Sequence, residues 1–180
     1  EPAGQNPPDG AAIDYYLSNN AKEVAIEIKD AKGNLIRKYS SSDTLYKVPE
    51  VDIPLFWIRP QKILSNQKGA HRLVWDLHYQ PLNMPAGYPM TAVIENTPPA
   101  YTSPWVMPGI YKISFVVDGQ IKGTQDLLVK MDPRVKTLSK DLQLQHDFSL
   151  QAYNNRKQIM EMSNEVSILK TQAKDSVIID

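Results

Sequence analysis

Gly69-Ala70-His71-Arg72-Leu73-Val74-Trp75-Asp76-Leu77 leads, after a long connection, to Pro108-Gly109-Ile110-Tyr111 and then to Asp118-Gly119. Val74, Trp75 and Leu77 are side chains that a strand buries. Pro108-Gly109 opens a second strand, in which Ile113, Phe115 and Val117 alternate with Lys112, Ser114 and Val116. Successive strand residues point to opposite faces, so this alternation predicts a strand with one covered face. Asp118-Gly119 predicts a two-residue hairpin of type I′, because both of its central residues need positive φ. Read together, these segments predict the inner half of an antiparallel β-sandwich.

The same period continues upstream. Residues 1–10 form a Pro/Gly/Asn-rich entry linker. Ile13, Tyr15 and Leu17 then alternate with Asp14, Tyr16 and Ser18, and Val24, Ile26 and Ile28 with Ala25, Glu27 and Lys29. Asp30-Ala31-Lys32-Gly33 predicts a hairpin loop returning through Leu35–Tyr39. Pro49, Pro54 and Pro60 bracket Leu55-Phe56-Trp57-Ile58, which predicts a loop or at best an edge strand, since proline removes ladder donors. Between His78 and Pro108 lie six more prolines, with Ala92-Val93-Ile94 as a candidate short strand. A connection this long is characteristic of a functional or ordered Ω-type excursion. Gln120–Lys130 completes the strands. The fold class expected is mainly β, an antiparallel Ig-like or fibronectin-like sandwich over residues 11–131.

At Asp132-Pro133-Arg134 the character changes, and beyond Lys136 there is neither proline nor glycine. Residues 132–180 therefore predict a helical segment, with Ser139 as N-cap and Asp141 placed favourably against the helix dipole. Ile159, Met162, Val166, Leu169 and Ala173 are spaced 3, 4, 3, 4, a coiled-coil-like seam. Tyr153-Asn154-Asn155-Arg156 is the expected place for a break. An amphipathic helix with an uncovered seam is unfavourable in water. The partners expected for it are the sandwich, a second helix or a second copy of the chain.

Composition narrows function. With 20 basic and 20 acidic residues the formal charge is zero, so no broad electrostatic attraction to nucleic acid or anionic membrane is expected. No apolar run approaches the roughly 20 residues that span a bilayer. Disulfides and thiolate metal sites are excluded because there is no cysteine. Glu1 follows no apolar leader, and Val177-Ile178-Ile179-Asp180 ends inside an apolar pattern, so the chain is expected to be a piece of a longer, processed protein.

Few residues suggest chemistry. His71 and His78 lie seven apart, which in a continuous strand puts them on opposite faces, and His146 falls in the helix. No metal-ligand spacing, nucleophile elbow or phosphate loop occurs, so no metal, no cofactor and no catalytic residue is assigned. Asp14, Asp76 and Asp118 are the carboxylates nearest to a glycosidase-like pair, but Asp118 is consumed by its turn and Trp75-Asp76 reads as a core tryptophan with a strand-end aspartate. Tyr88, Tyr101 and Trp105 lie in the long connection. On a sandwich rim such aromatics either stack on sugars, grip another domain, or fold inward to cover the sheet.

Asn6-Pro7-Pro8-Asp9-Gly10, Ile13-Asp14-Tyr15-Tyr16-Leu17, Asp30-Ala31-Lys32-Gly33, Arg72-Leu73-Val74-Trp75-Asp76-Leu77, Pro108-Gly109-Ile110-Tyr111, Asp118-Gly119 and Asp132-Pro133-Arg134 occur in that order. This series resembles the C-terminal region of secreted bacterial sortilin-like or BNR-repeat β-propeller proteins labelled glycosyl hydrolases. The Trp-Asp-Leu and Pro-Gly-X-Tyr pair also resembles the Ig-like module of flagellar hook-capping proteins. The resemblance covers about residues 6–150 and implies an exported, periplasmic or extracellular, bacterial protein. The aspartate boxes of the propeller, Ser-X-Asp-X-Gly-X-X-Trp, do not occur here. What the resemblance implies is therefore a non-catalytic accessory module that packs on an N-terminal propeller or assists assembly. The alternative is a carbohydrate-binding module using Tyr88, Tyr101 and Trp105.

Overall fold

A computed structural model describes residues 9–45, 48, 50, 52–61, 63–82, 94, 97 and 102–177. Its order is β1 (Ala11–Leu17), β2 (Val24–Lys29), β3 (Leu35–Ser40), a single 3-10 turn (Leu55–Trp57), β4 (Gly69–Trp75), β5 (Gly109–Val117), β6 (Gln120–Val129) and α1 (Ser139–Val177). The chain divides into two compact units, Glu1–Lys136 and Thr137–Asp180.

The β unit contains two antiparallel sheets. One is the pair β1-β4, and the other has the order β3-β2-β5-β6. Alternation decides what each strand buries. Tyr15 and Leu17 of β1, Leu73 and Trp75 of β4, Val24, Ile26 and Ile28 of β2, Ile36 of β3, and Tyr111 and Ile113 of β5 join one hydrophobic core. Both sheets thus share a core, as the period-2 pattern requires when each has one covered face. Trp75, Val24 and Ile28 are completely buried. Polar atoms in this core are tied down. The Tyr15 hydroxyl donates to the Ser65 carbonyl (2.9 Å) and accepts from the Ser65 amide (2.8 Å).

Local chemistry sets the register. Asp118 (φ 51°) and Gly119 (φ 77°) take the two positive φ values of a type I′ turn between β5 and β6. Gly10 stands where β1 meets the end of β4. A Cβ there would lie 2.1 Å from the Trp75 carbonyl oxygen, so no larger residue fits without moving backbone. In the β2-β3 loop, Asp30 Oδ1 accepts from the amides of Lys32 and Asn34.

Several expectations are corrected. β4 stops at Trp75, and Leu77 turns the chain with φ 59°, a left-handed conformation unusual for leucine, instead of continuing the strand. The expectation of a loop at Leu55–Ile58 holds, with a 3-10 turn over Leu55–Trp57 followed by an isolated bridge between Ile58 and Thr97. Ile94 lies in a turn, while Ala92 and Val93 fall outside the described residues. The helix runs unbroken from Ser139 to Val177, with no interruption at Tyr153–Arg156. Asparagine costs only a fraction of about 0.7 kcal/mol relative to alanine in a helix, so two of them do not stop it. The Leu138 carbonyl accepts the amides of Asp141 (2.9 Å) and Leu142 (3.1 Å), which makes Leu138, not Ser139, the cap position. Among the described residues no helix is long and apolar enough to cross a membrane.

Candidate functional site

Where β4 ends, the chain folds back into a polar cluster. Trp75 Nε1–H donates to the His78 carbonyl at 3.0 Å. His78 is 1% exposed, and its Nδ1 lies 2.8 Å from the Asp76 carbonyl oxygen. A carbonyl can only accept, so this contact places the proton on Nδ1. The Asp76 carboxylate in turn accepts the His78 amide at 3.2 Å. Burial pushes the His78 pKa below its ordinary value, with the Asp76 backbone bond opposing the shift.

Neighbouring segments hold this turn from two sides. On one side, Gln80 N–H donates to the Ile36 carbonyl, and the Arg37 guanidinium donates to the Tyr79 carbonyl while lying 4.7 Å above the Tyr39 ring. Burial raises the Tyr39 hydroxyl to about 12, against the pull of Arg37. On the other side, Tyr79 N–H donates to Pro104 and Val106 N–H to Leu77. His78 and Trp105 thus form an antiparallel bridge, which brings the Trp105 ring to 3.8 Å from the His78 ring, tilted by 43°. Trp105 remains 60% exposed. The indole packs on the histidine ring while part of it faces solvent.

Of the three aromatics expected to form one site, only Trp105 can be placed; Tyr88 and Tyr101 fall outside the described residues. The histidine prediction needs correcting in its physical basis. His71 and His78 do not share a strand, because β4 ends at Trp75. His71 Nε2 bonds the Gln67 carbonyl at 2.7 Å, with its ring 5.1 Å from Tyr15. Among the described residues no group of three metal-ligating side chains converges.

The three carboxylates singled out from the sequence lie on different elements, each with its own hydrogen-bond partners. Asp14 and Arg72 face each other across β1-β4 in a bidentate ion pair of 2.6 and 2.7 Å. This hydrogen-bonded guanidinium holds the Asp14 carboxyl below its ordinary range. The pair lines a shallow open depression with Tyr15, Tyr16, Ala70 and His71. Asp118 Oδ1 accepts the amides of Lys22 (2.8 Å) and Glu23 (2.9 Å), tying the β5-β6 turn to the chain entering β2. Nothing in its sequence neighbourhood announces that second role, since its partners are 96 and 95 residues away.

The other predicted surface is on α1. Ile159, Met162, Val166 and Leu169 are 66, 64, 49 and 63% exposed, and Ala173 is exposed as well. Comparison with protein-family models, with curated proteins and with solved structures finds no match to this chain.

Proposed function

We propose that the chain is a non-catalytic accessory module of a larger exported bacterial protein of glycosyl-hydrolase-like type, serving domain packing or assembly. The observation that carries this reading is the commitment of its reactive-looking side chains to the fold itself. His78 is bound to the turn after β4, Asp118 to two amides at the start of β2, and Asp14 to Arg72. Engagement of this kind supports a structural role for His78 and Asp118 and leaves the Asp14 carboxylate paired at the surface. The ordered motif series supports an upstream β-propeller as the partner of the β unit, and the exposed α1 seam supports assembly through the helix.

The finer fold assignment belongs with this reading. An Ig-like arrangement accounts for β1-β4 as one sheet and β3-β2-β5-β6 as the other. It also accounts for Tyr111, near the start of β5, whose hydroxyl donates to the Met107 carbonyl at 2.7 Å. A tyrosine bonded to backbone a few residues upstream in this way is the tyrosine corner of such sandwiches. Burial raises this hydroxyl to about 12.

The test is hydrolysis. Purified protein offered a panel of chromogenic glycosides, esters and peptides is expected to turn over none of them. Reproducible hydrolysis that disappears in Asp76→Asn overturns the reading. A second reading, carbohydrate binding, is favoured by the exposed indole of Trp105 braced on His78. A glycan array decides it, with retention that is lost in Trp105→Ala as the supporting result and a blank array as the refuting one.

A further inference from the structure

The seam of α1 is longer than its five recognised residues. Phe148, Ala152 and Asn155 precede Ile159 at spacings of 4, 3 and 4, so one line of positions runs from 148 to 173 in strict 4, 3 alternation. At 1.5 Å per residue this line is about 38 Å long. All of it is exposed, Phe148 at 63%. A period of 3.5 is the signature of a helix that supercoils with another helix, not of one lying on a sheet.

The residue types choose among helical partners. Taking Ile159 as position a of a heptad, the a positions are Ala152, Ile159, Val166 and Ala173, and the d positions are Phe148, Asn155, Met162 and Leu169. In the central two heptads both a residues are β-branched and neither d residue is. That division favours two parallel strands, because the two layers meet the partner helix at different angles. The flanks agree with it. Glu165 is a g position and Lys170 the e position five residues later. In a parallel, in-register pair, g of one helix faces e of the next heptad of the other, so Glu165 meets the second copy's Lys170 twice by symmetry. The equivalent flanking pairs, Gln151 with Arg156 and Gln158 with Ser163, bring no like charges together. Within one helix, Glu165 and Lys170 are five apart, outside the three-or-four spacing at which helix neighbours meet. Lys157 and Glu161, by contrast, sit at i, i+4 and are 4.0 Å apart. An antiparallel pair would set e against e and g against g, and would leave Glu165 and Lys170 without this match.

We infer that α1 is the dimerisation element of the chain, pairing with a second copy of itself as a parallel, in-register coiled coil over residues 148–173. This rests on the assembly role proposed above.

The absence of cysteine from the chain gives a direct test. Ala152→Cys and Ala173→Cys are made separately in the full chain and oxidised under dilute conditions. A parallel pair gives a disulfide-linked homodimer from each variant alone and little mixed product when the two are combined. Preferential 152–173 cross-linking overturns the parallel arrangement. Sedimentation equilibrium supplies the second arm. Val166→Asp combined with Leu169→Asp is expected to weaken association at least about hundredfold, with the near-ultraviolet spectrum of the β unit unchanged. Glu165→Lys and Lys170→Glu are expected to weaken it about two- to fivefold each, and their mixture to recover it. A wild-type chain that stays monomeric at tens of micromolar, including one whose seam pairs with another helix of a longer form of the same protein, overturns the proposal. So does a dimer that persists in the double aspartate variant. None of these results depends on hydrolysis, so failure of the dimer and failure of the accessory reading are separately visible.

Discussion

The β unit and the helix use the same kinds of side chain to opposite effect. Val24, Ile28 and Trp75 are fully enclosed, and Ile26 is 1% exposed. On α1, Ile159 is 66% exposed and Leu169 63%. Burying one such side chain is worth about 1.5–3 kcal/mol, so the β unit collects this stabilisation within a single chain. The difference lies in periodicity. A period of two gives each sheet one apolar face, and two such faces close on each other. A period of 3.5 gives a narrow stripe that only another helix matches well, and the described residues offer one helix.

The harshest way to break this comparison is to remove the centre of the enclosed side. Trp75→Ala deletes a completely buried ring, its edge-to-face contact with Tyr111 at 5.4 Å, and the donor that satisfies the His78 carbonyl. Truncating a buried aromatic costs about 3–5 kcal/mol, set against a total of about 5–15 kcal/mol for a domain. Urea titration followed by near-ultraviolet circular dichroism should show the β unit unfolded or nearly so. Leu169→Ala, an apolar truncation on the exposed side, should leave that transition where it was. Equal effects from the two substitutions would erase the distinction.

How far the chain could be read in advance follows the same line. Alternation located β1, β2 and β5, and Asp118-Gly119 was legible as a turn, because a strand's period and a type I′ turn's φ values are local properties. The end of β4 was not legible. Arg72 to Leu77 looks like one continuous strand, and only the long-range grip of Ile36 and Pro104–Val106 on residues 77–80 shows why the chain leaves the sheet after Trp75. Trp105 is legible as an aromatic of the long connection, but its support on His78 comes from a bridge between residues 27 positions apart that no periodicity encodes. The 3, 4 spacing of apolar residues along α1 is legible from the sequence alone. The continuity of α1 through Asn154-Asn155 is not, because a weak local propensity is overridden by the good helix formers on either side.

His78 offers a milder probe, since protonation acts on the β unit without removing an atom. Its pKa in the folded chain lies below the ordinary histidine value because burial disfavours the cation. The unfolded chain, with a histidine pKa of about 6.5, therefore binds the proton at pH values where the folded chain does not. Stability is complete above about pH 6.5 and declines as the pH falls below it, until the folded state also takes up the proton. Urea midpoints measured from pH 8 down to pH 5 should fall in acid, with a shallower slope in His78→Gln. NMR titration should place the His78 ring below the ordinary value. A midpoint independent of pH across this interval would contradict the burial on which the site description depends.

The smallest effects separate two aspartates that look alike in sequence. Asp118→Gly keeps a residue that accepts positive φ, so the turn survives, but it removes the acceptor for the amides of Lys22 and Glu23. These bonds are exposed, so their loss should cost about 0.5–1.5 kcal/mol, visible as a lower urea midpoint with unchanged slope. Asp14→Asn removes the charge from an ion pair that is shorter, at 2.6 Å, yet both partners stand in solvent, with side chains 60 and 62% exposed. In that setting attraction is screened and water replaces the lost partner, so the midpoint should stay within experimental error. The shorter contact is thus expected to matter less than the longer ones, because the Asp118 bonds join segments some 95 residues apart whereas β1 and β4 are already held by their ladder. A larger loss from Asp14→Asn than from Asp118→Gly would reverse this ranking and assign the outer face of β1-β4 a role beyond stability.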